Sequence, residues 1–377
     1  MSLEGSRFIP LHKPYWDNKE EKAAIAALRG GTGVGDLSFG EKLSDELARK
    51  LGVKYVLPTS SGTAALELAC ACILKRGDEV IMPSFTFSSC ANAALLRGAR
   101  PVFCDISIDD YNIDPKKIIE KITPKTKAIM VVHYAGFACD MDQILDIAKK
   151  NNLYVIEDAA HSLNAKYKNR FLGTIGDIGC LSFHGTKNVA SGEGGAFVSN
   201  NEAFNLKAEI FREKGTNRSS FIRGERNKYS WVSLGSSLVL SDILSAIALE
   251  QVKKLEKITK LREQKAKYYL SKFRKSHSKL ILPTIKKEQK SNWHIFAVRV
   301  SPDSRDEVIS KIRSAGIEAS FHYLPLHTSL MGRKLGYKKG DLPVTEEVSD
   351  SLIRLPIYPQ LKKTEMDYIV KVVSGIV

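Results

Sequence analysis

Short apolar runs, each closed by turn residues and followed by a helical pattern, decide what this chain can fold into. The runs lie at 55–59, 79–83, 101–105, 127–133, 153–158 and 180–183, and helical patterns at 62–69, 115–122 and 142–151 lie between them. Strands alternating with helices predict a mostly parallel sheet covered on both faces, an α/β architecture. The strand signals run out near Val198. Further helices are expected at 18–29, 202–213 and 242–272, the last long enough to bridge two domains. Beyond Pro283, strands at 293–300 and 317–322, a helix at 303–315 and the closing segment 352–377 predict a smaller α+β domain. The expected division is 8–245 and 246–377.

Two of the runs end in residues that carry chemistry. The run LYVIEDAAH ends its apolar part in Asp158, and CLSFHGTKNVASGEGGA ends in a turn, Lys187 and a glycine-rich hairpin. Gly192, Gly194 and Gly195 let the backbone turn close beside the lysine. A lone lysine after a strand is usually solvated. A strand-end carboxylate paired with a strand-end lysine is what a pyridoxal phosphate (PLP) enzyme needs, because the amine bonds the cofactor aldehyde and the acid pairs with the pyridinium nitrogen. Thr59, Ser60, Ser61, Gly62 and Thr63 sit at a helix start, where free N–H groups and hydroxyls make an anion site. That is more hydroxyl than one ordinary cap requires.

The segments VIEDAAHS and SFHGTKN…GEGGA resemble the DegT/DnrJ/EryC1/StrS sugar-nucleotide aminotransferases from about Phe8 almost to the C-terminus. VVHYAG (131–136), REKGTNRS (212–219) and FHYLPLH (321–327) are most similar to the dTDP-4-amino-4,6-dideoxygalactose transaminases of that family. The resemblance implies PLP as cofactor and fold type I, with a large seven-stranded, mostly parallel sheet domain and a small C-terminal domain. It implies Lys187 and Asp158 as catalytic residues, and Ser61, Gly62, Thr63, Ser182 and Ser237 at the cofactor phosphate. It also implies Phe87 stacked on the ring, His161 at the ring hydroxyl, and Arg218, His322, Tyr323 and His327 at the substrate. Many members have Asn where this chain has Ser237, reaching the partner subunit's phosphate, and a hydroxyl could substitute.

The implied reaction is amino transfer from L-glutamate to a nucleotide-linked 4-keto-6-deoxy sugar, dTDP-4-keto-6-deoxy-D-glucose, for surface polysaccharide synthesis. It would proceed in a homodimer with active sites at the subunit interface. Dehydratase members replace the lysine with histidine, so Lys187 favours transamination. A 3-keto substrate is the enzymatic alternative. A non-catalytic PLP-binding regulator or a basic nucleic-acid-binding protein is the alternative of another class.

The charge bears on that last alternative. The 377 residues carry a formal charge of +15. The excess concentrates at 253–290, along a helix and the loop after it, and no zinc knuckle or helix-turn-helix accompanies it, so a solvated helix face is expected rather than a nucleic-acid groove. The loop GGTGVGD (30–36) follows a helix where a dinucleotide fingerprint requires a strand; in the resembled family it lies beside the substrate site. The six cysteines form no CxxC pair and read as buried free thiols in a reducing, cytoplasmic compartment, with no metal site. No run reaches membrane-spanning length. No export leader is expected, and residues 1–5 are set aside as cloning residue.

Overall fold

The computed structural model describes residues 8–31, 33–36, 38–276 and 279–377; residues 1–5 and Thr32 of the 30–36 loop lie outside them. Seven strands form the main sheet: β1 (Tyr55–Thr59), β2 (Glu79–Pro83), β3 (Arg100–Cys104), β4 (Thr126–Val132), β5 (Tyr154–Asp158), β6 (Ile178–Ser182) and β7 (Gly195–Ser199). Their order is β1-β7-β6-β5-β4-β2-β3. Strands β3, β2, β4, β5 and β6 run parallel, while β7 is antiparallel to both its neighbours.

Both faces are buried, and the period of two is visible in the side chains. Val80, Met82, Ala128, Met130, Val132 and Ile156 face one cluster with the helices Gly62–Ile73, Ser88–Leu95 and Glu202–Arg212. Ile81, Ile129, Val131 and Val155 face the other, against Met141–Lys150. Because the parallel strands share one direction, Pro83, Val132, Asp158 and Ser182 end on the same edge of the sheet. Ligands of open α/β sheets bind at that edge.

A third cluster covers the edge from the C-terminal side. It joins Phe85, Tyr134 and Phe137 to Trp293, Phe296 and residues of the strands Phe296–Arg299 and Leu352–Leu355. Phe137 and Trp293 meet edge to face, ring centroids 5.2 Å apart. The N-terminal segment belongs to this side: Ile9 pairs with Ile317, and the Leu11 N–H donates to Glu318 Oε2 at 2.8 Å.

Several expectations change in detail. The long helix is two, Asp242–Lys253 and Leu255–Lys275, broken at Lys254, whose amine pairs with Asp17 and Glu20. The strand expected from Trp293 begins only at Phe296, since Trp293 has a φ of 52°, which no strand residue adopts. Residues 317–322 form isolated bridges at Ile317 and Ser320 instead of a strand. A helix that the sequence reading did not include, Ser38–Leu51, buries Leu43, Leu47 and Leu51.

Candidate active site

One cavity of about 700 Å³ opens at the strand-end edge, between the sheet and the C-terminal side. Lys187 reaches it from the tip of the β6–β7 hairpin. The tip is held by backbone bonds: Phe183 N–H to Gly194 O (2.8 Å), Gly185 N–H to Gly192 O (2.7 Å) and Lys187 N–H to His184 O (2.8 Å). Gly192 has a φ of 95°, open to glycine at little cost. Burial pulls the Lys187 amine down to about 8; the Asp158 charge works against that shift and the Arg354 guanidinium adds to it.

Asp158 closes β5 and is buried. Its Oδ1 accepts the Ala160 N–H at 3.0 Å, and its Oδ2 accepts the Cys90 thiol at 3.1 Å. Burial, with Asp158 beside it, drives the Cys90 pKa far up, so this thiol is a donor and not a thiolate. The preceding Glu157 points to the other face of the strand. There it accepts His133 Nε2–H at 2.8 Å and the N–H groups of Gly173, Ile175 and Gly176. Burial opposes its charge, yet these donors hold its carboxyl below the ordinary range. Neighbouring carboxylates thus divide, one structural and one facing the cavity.

The start of the helix Gly62–Ile73 also lines the cavity. Gly62 and Thr63 are its first residues, so their N–H groups have no intrahelical acceptor. Ser61 caps the helix through Ala64 N–H at 3.0 Å, and the Thr63 and Ser89 hydroxyls lie 2.7 Å apart. The space is fitted to glycine. A Cβ on Gly62 would sit 2.8 Å from Ser182 Cβ, and one on Gly195 would sit 2.5 Å from Ser61 O. Backbone N–H groups, hydroxyls and close glycines make a cradle suited to a phosphate.

Phe87 also lines the cavity; it is 59% exposed, an unusual state for a phenylalanine beside a core, and its ring lies 6.4 Å from that of Tyr323. His161 is buried; its Nδ1 accepts the Ala135 N–H at 3.4 Å, which leaves the proton on Nε2 to be donated to the Tyr323 hydroxyl at 3.3 Å. His161 packs on His294, centroids 4.5 Å apart, and the Tyr134 hydroxyl lies 3.1 Å from His322 Nδ1. Burial first, then the neighbouring cations, keeps His161, His294 and His322 neutral.

Lys187, Asp158, Ser61, Gly62, Thr63, Phe87, His161, Ser182, His322 and Tyr323 therefore share this cavity, and three other expected residues do not. His327 is fully buried elsewhere. Its Nδ1 lies 2.8 Å from Ser84 Oγ and its Nε2 2.9 Å from Glu346 Oε1, so it braces the fold instead of meeting substrate. Arg218 opens the short helix Arg218–Ile222 and pairs with Glu213 at 3.7 Å, away from this chain's cavity. Ser237 is exposed, bridged to Glu213. The described residues of the 30–36 loop are also outside the cavity lining, with Asp36 paired to the buried Arg212. The sequence reading missed His12, His294 and Arg354, which line the cavity. Burial pushes the His12 imidazole down to about 3, with its Nε2–H donated to Gly185 O at 3.0 Å.

Residues 14–374 match the sequence model of the DegT/DnrJ/EryC1/StrS aminotransferase family. The chain belongs to that family. Among DegT/DnrJ/EryC1/StrS relatives, the spore coat polysaccharide biosynthesis protein SpsC of Bacillus subtilis is 34% identical, covering 100% of this chain and 99% of its own. The UDP-4-amino-4-deoxy-L-arabinose–oxoglutarate aminotransferase of Shewanella sediminis is 31% identical, covering 99% of each. The putative sugar aminotransferase Spr1654 of Streptococcus pneumoniae, solved in its PLP form, superposes with a TM-score of 0.91 at 25% identity, over 98% of each chain. It has also been solved in a PMP form. Members of the DegT/DnrJ/EryC1/StrS family are PLP-dependent enzymes of fold type I, and the activity is that of a sugar-nucleotide aminotransferase. The glycine-fitted cradle, the lysine and the buried acid suit that cofactor at its phosphate, aldehyde and ring-nitrogen ends respectively. Among the described residues no helix is long and apolar enough to cross a membrane, and no metal-binding cluster occurs.

Proposed function

We propose that the chain transfers the amino group of L-glutamate to C4 of a nucleotide-linked 4-keto-6-deoxy sugar. The substrate is dTDP-4-keto-6-deoxy-D-glucose and the product dTDP-4-amino-4,6-dideoxygalactose, made for a surface polysaccharide. The observation that carries the reading is one cavity lined by Lys187, Asp158 and the Gly62 cradle together. A relative named for a 4-amino sugar and oxoglutarate supports both the position of amination and the donor.

Bound PLP supplies an aldehyde to take the amino group and a protonated ring to draw electrons from the donor's α carbon. The rest falls to the chain. The cradle of Ser61, Gly62, Thr63 and Ser182 holds the phosphate through N–H and hydroxyl donors. Phe87 covers one face of the ring. Asp158, oriented by Ala160 and Cys90, keeps the ring nitrogen protonated through short-range attraction. His161, whose one N–H is given to the Tyr323 hydroxyl in this structure, would share that proton with the ring hydroxyl. Lys187, as a free amine, would carry a proton away from the α carbon; burial brings that amine down to about 8, which suits a base at neutral pH. His322 and Tyr323 face the sugar. Ser237 and Arg218 serve the neighbouring subunit of a homodimer, a role supported by the exposed apolar surface around them: Trp231 is 79% exposed, Leu234 66% and Ile222 58%. The buried cysteines suit a cytoplasmic enzyme.

The test follows the cofactor spectrum while the loaded protein meets L-glutamate and then dTDP-4-keto-6-deoxy-D-glucose, with Lys187→Ala alongside. The reading expects conversion by glutamate, return on adding the sugar, and a 4-amino sugar by NMR. Return without a 4-amino product overturns the position of amination. Absence of any return overturns the sugar, and absence of conversion overturns the whole reading.

A further inference from the structure

Asp158 is sparsely held for a buried carboxylate. Among the described residues its side chain meets only the Ala160 N–H and the Cys90 thiol, and it forms no ion pair. Glu157, next to it, has His133 and three backbone N–H groups. A carboxylate offers about four acceptor sites. Asp158 therefore keeps acceptor capacity toward the cavity that it lines.

The proton count fixes the direction of the contacts behind it. Cys90 has one thiol proton, and an ionised carboxylate only accepts. The S–H thus points to Asp158 Oδ2, at 3.1 Å. The Thr86 hydroxyl lies 3.3 Å from Cys90 Sγ, so it is the donor in that contact. The result is a one-way relay, Thr86 O–H to Cys90 Sγ and Cys90 S–H to Asp158, with all three residues buried. Burial and the Asp158 charge keep the thiol protonated. The helix Ser88–Leu95 carries Cys90, and the Phe87 that precedes it lines the same cavity.

A thiol is a weak donor. It can fix the direction of a carboxylate while drawing little charge from it. A hydroxyl in the same place would make a charge-assisted bond of the strong kind. Resting on the proposed place of Asp158 at the ring nitrogen, we infer that Cys90 is a positioning residue, whose thiol aims Asp158 while leaving its negative charge for the ring proton. Sulfur in place of oxygen at this position then sets how firmly the acid holds that proton.

Two readouts test this. The first needs no cofactor. In the infrared spectrum of the apo protein, the S–H stretch of Cys90 is assigned by its loss in Cys90→Ala. It should lie below the frequency of an unbonded thiol. It should move up in Asp158→Asn, whose neutral amide is a weaker acceptor, and in Thr86→Val, which no longer polarises the sulfur. The second readout is nitrogen NMR of protein loaded with PLP labelled at the ring nitrogen. Cys90→Ser should shift the signal toward that of an unprotonated ring and slow the donor half-reaction about twofold to tenfold, the scale of one strengthened hydrogen bond to a charge. Cys90→Ala should leave the signal with wild type. A merely structural cysteine predicts the reverse order, since serine fills the space and alanine leaves a void. Cys90→Thr carries the same hydroxyl and decides the matter if the serine variant does not load. A Cys90 band at the unbonded frequency, or one unmoved by Asp158→Asn, overturns the hydrogen bond and the inference with it. A ring signal unchanged by serine and by threonine overturns the role of the sulfur and leaves the proposed function standing. An unprotonated ring in wild type overturns the proposed place of Asp158 and this inference together.

Discussion

The amine of Lys187 titrates near 8 in the folded chain, against about 10.4 for an unhindered lysine. Between those values the unfolded chain binds the extra proton, so the cofactor-free protein gains stability as pH rises from about 8 toward 10. Thermal melts of apo wild type should show that rise, and Lys187→Met should not. Cofactor attachment, which needs the neutral amine, should accelerate with pH with its midpoint near 8, read by stopped-flow absorbance. Asp158→Asn should keep the fold and slow the donor half-reaction by roughly 10²–10³-fold, the scale of losing one aimed electrostatic group. At this scale the sequence was informative for the cavity residues at the ends of strands. Lys187, Asp158, Gly62 and Ser182 announce themselves by following apolar runs. Arg354 sits inside an ordinary apolar strand and His294 just before one, and only the return of the chain from more than a hundred residues away makes them part of the cavity. His327 shares a motif with His322 and Tyr323, but a turn at Leu326–Thr328 sends its side chain inward to Ser84 and Glu346. His327→Ala should cost about 1–3 kcal/mol in denaturant titrations, with the spectrum of the loaded protein unchanged.

The hairpin between β6 and β7 and the helix Gly62–Ile73 meet at Gly62, Ser182 and Gly195, and neither glycine has room for a side chain. Gly62→Ala would put a methyl group 2.8 Å from Ser182 Cβ, an atom fixed by the backbone, and should weaken PLP phosphate affinity in equilibrium dialysis and lower the melting temperature. Gly195→Ala drives a methyl group against the Ser61 carbonyl and the Gly62 nitrogen, both backbone, and should lower the melting temperature as well. Elements were legible where periodicity is strong and less so at their ends. The helix Ser38–Leu51 carries Leu43, Leu47 and Leu51 four apart, a signal present in the sequence though left unread. The break at Lys254 has no glycine or proline to mark it; the ion pairs with Asp17 and Glu20 that accompany it come from a distant helix.

Across the whole molecule, the cavity has one wall from the sheet and another from the C-terminal side, joined by the aromatic cluster of Phe85, Tyr134, Phe137, Trp293 and Phe296. The family resemblance in the sequence conveyed this architecture because strand–helix alternation is a global pattern; the way the segment around Ile9 crosses to pair with Ile317 is a single long-range contact with no local signature. The cysteines add a consequence of a different kind. All six are buried, and Cys90 lies under the site with its thiol on Asp158. A thiol reagent reaches such groups only through opening of the structure. The chain thus carries its own clock for conformational opening: alkylation at Cys90, timed by mass spectrometry against the other five, records how often the floor of the cavity comes apart, and the rate should fall when a bound molecule holds that floor shut.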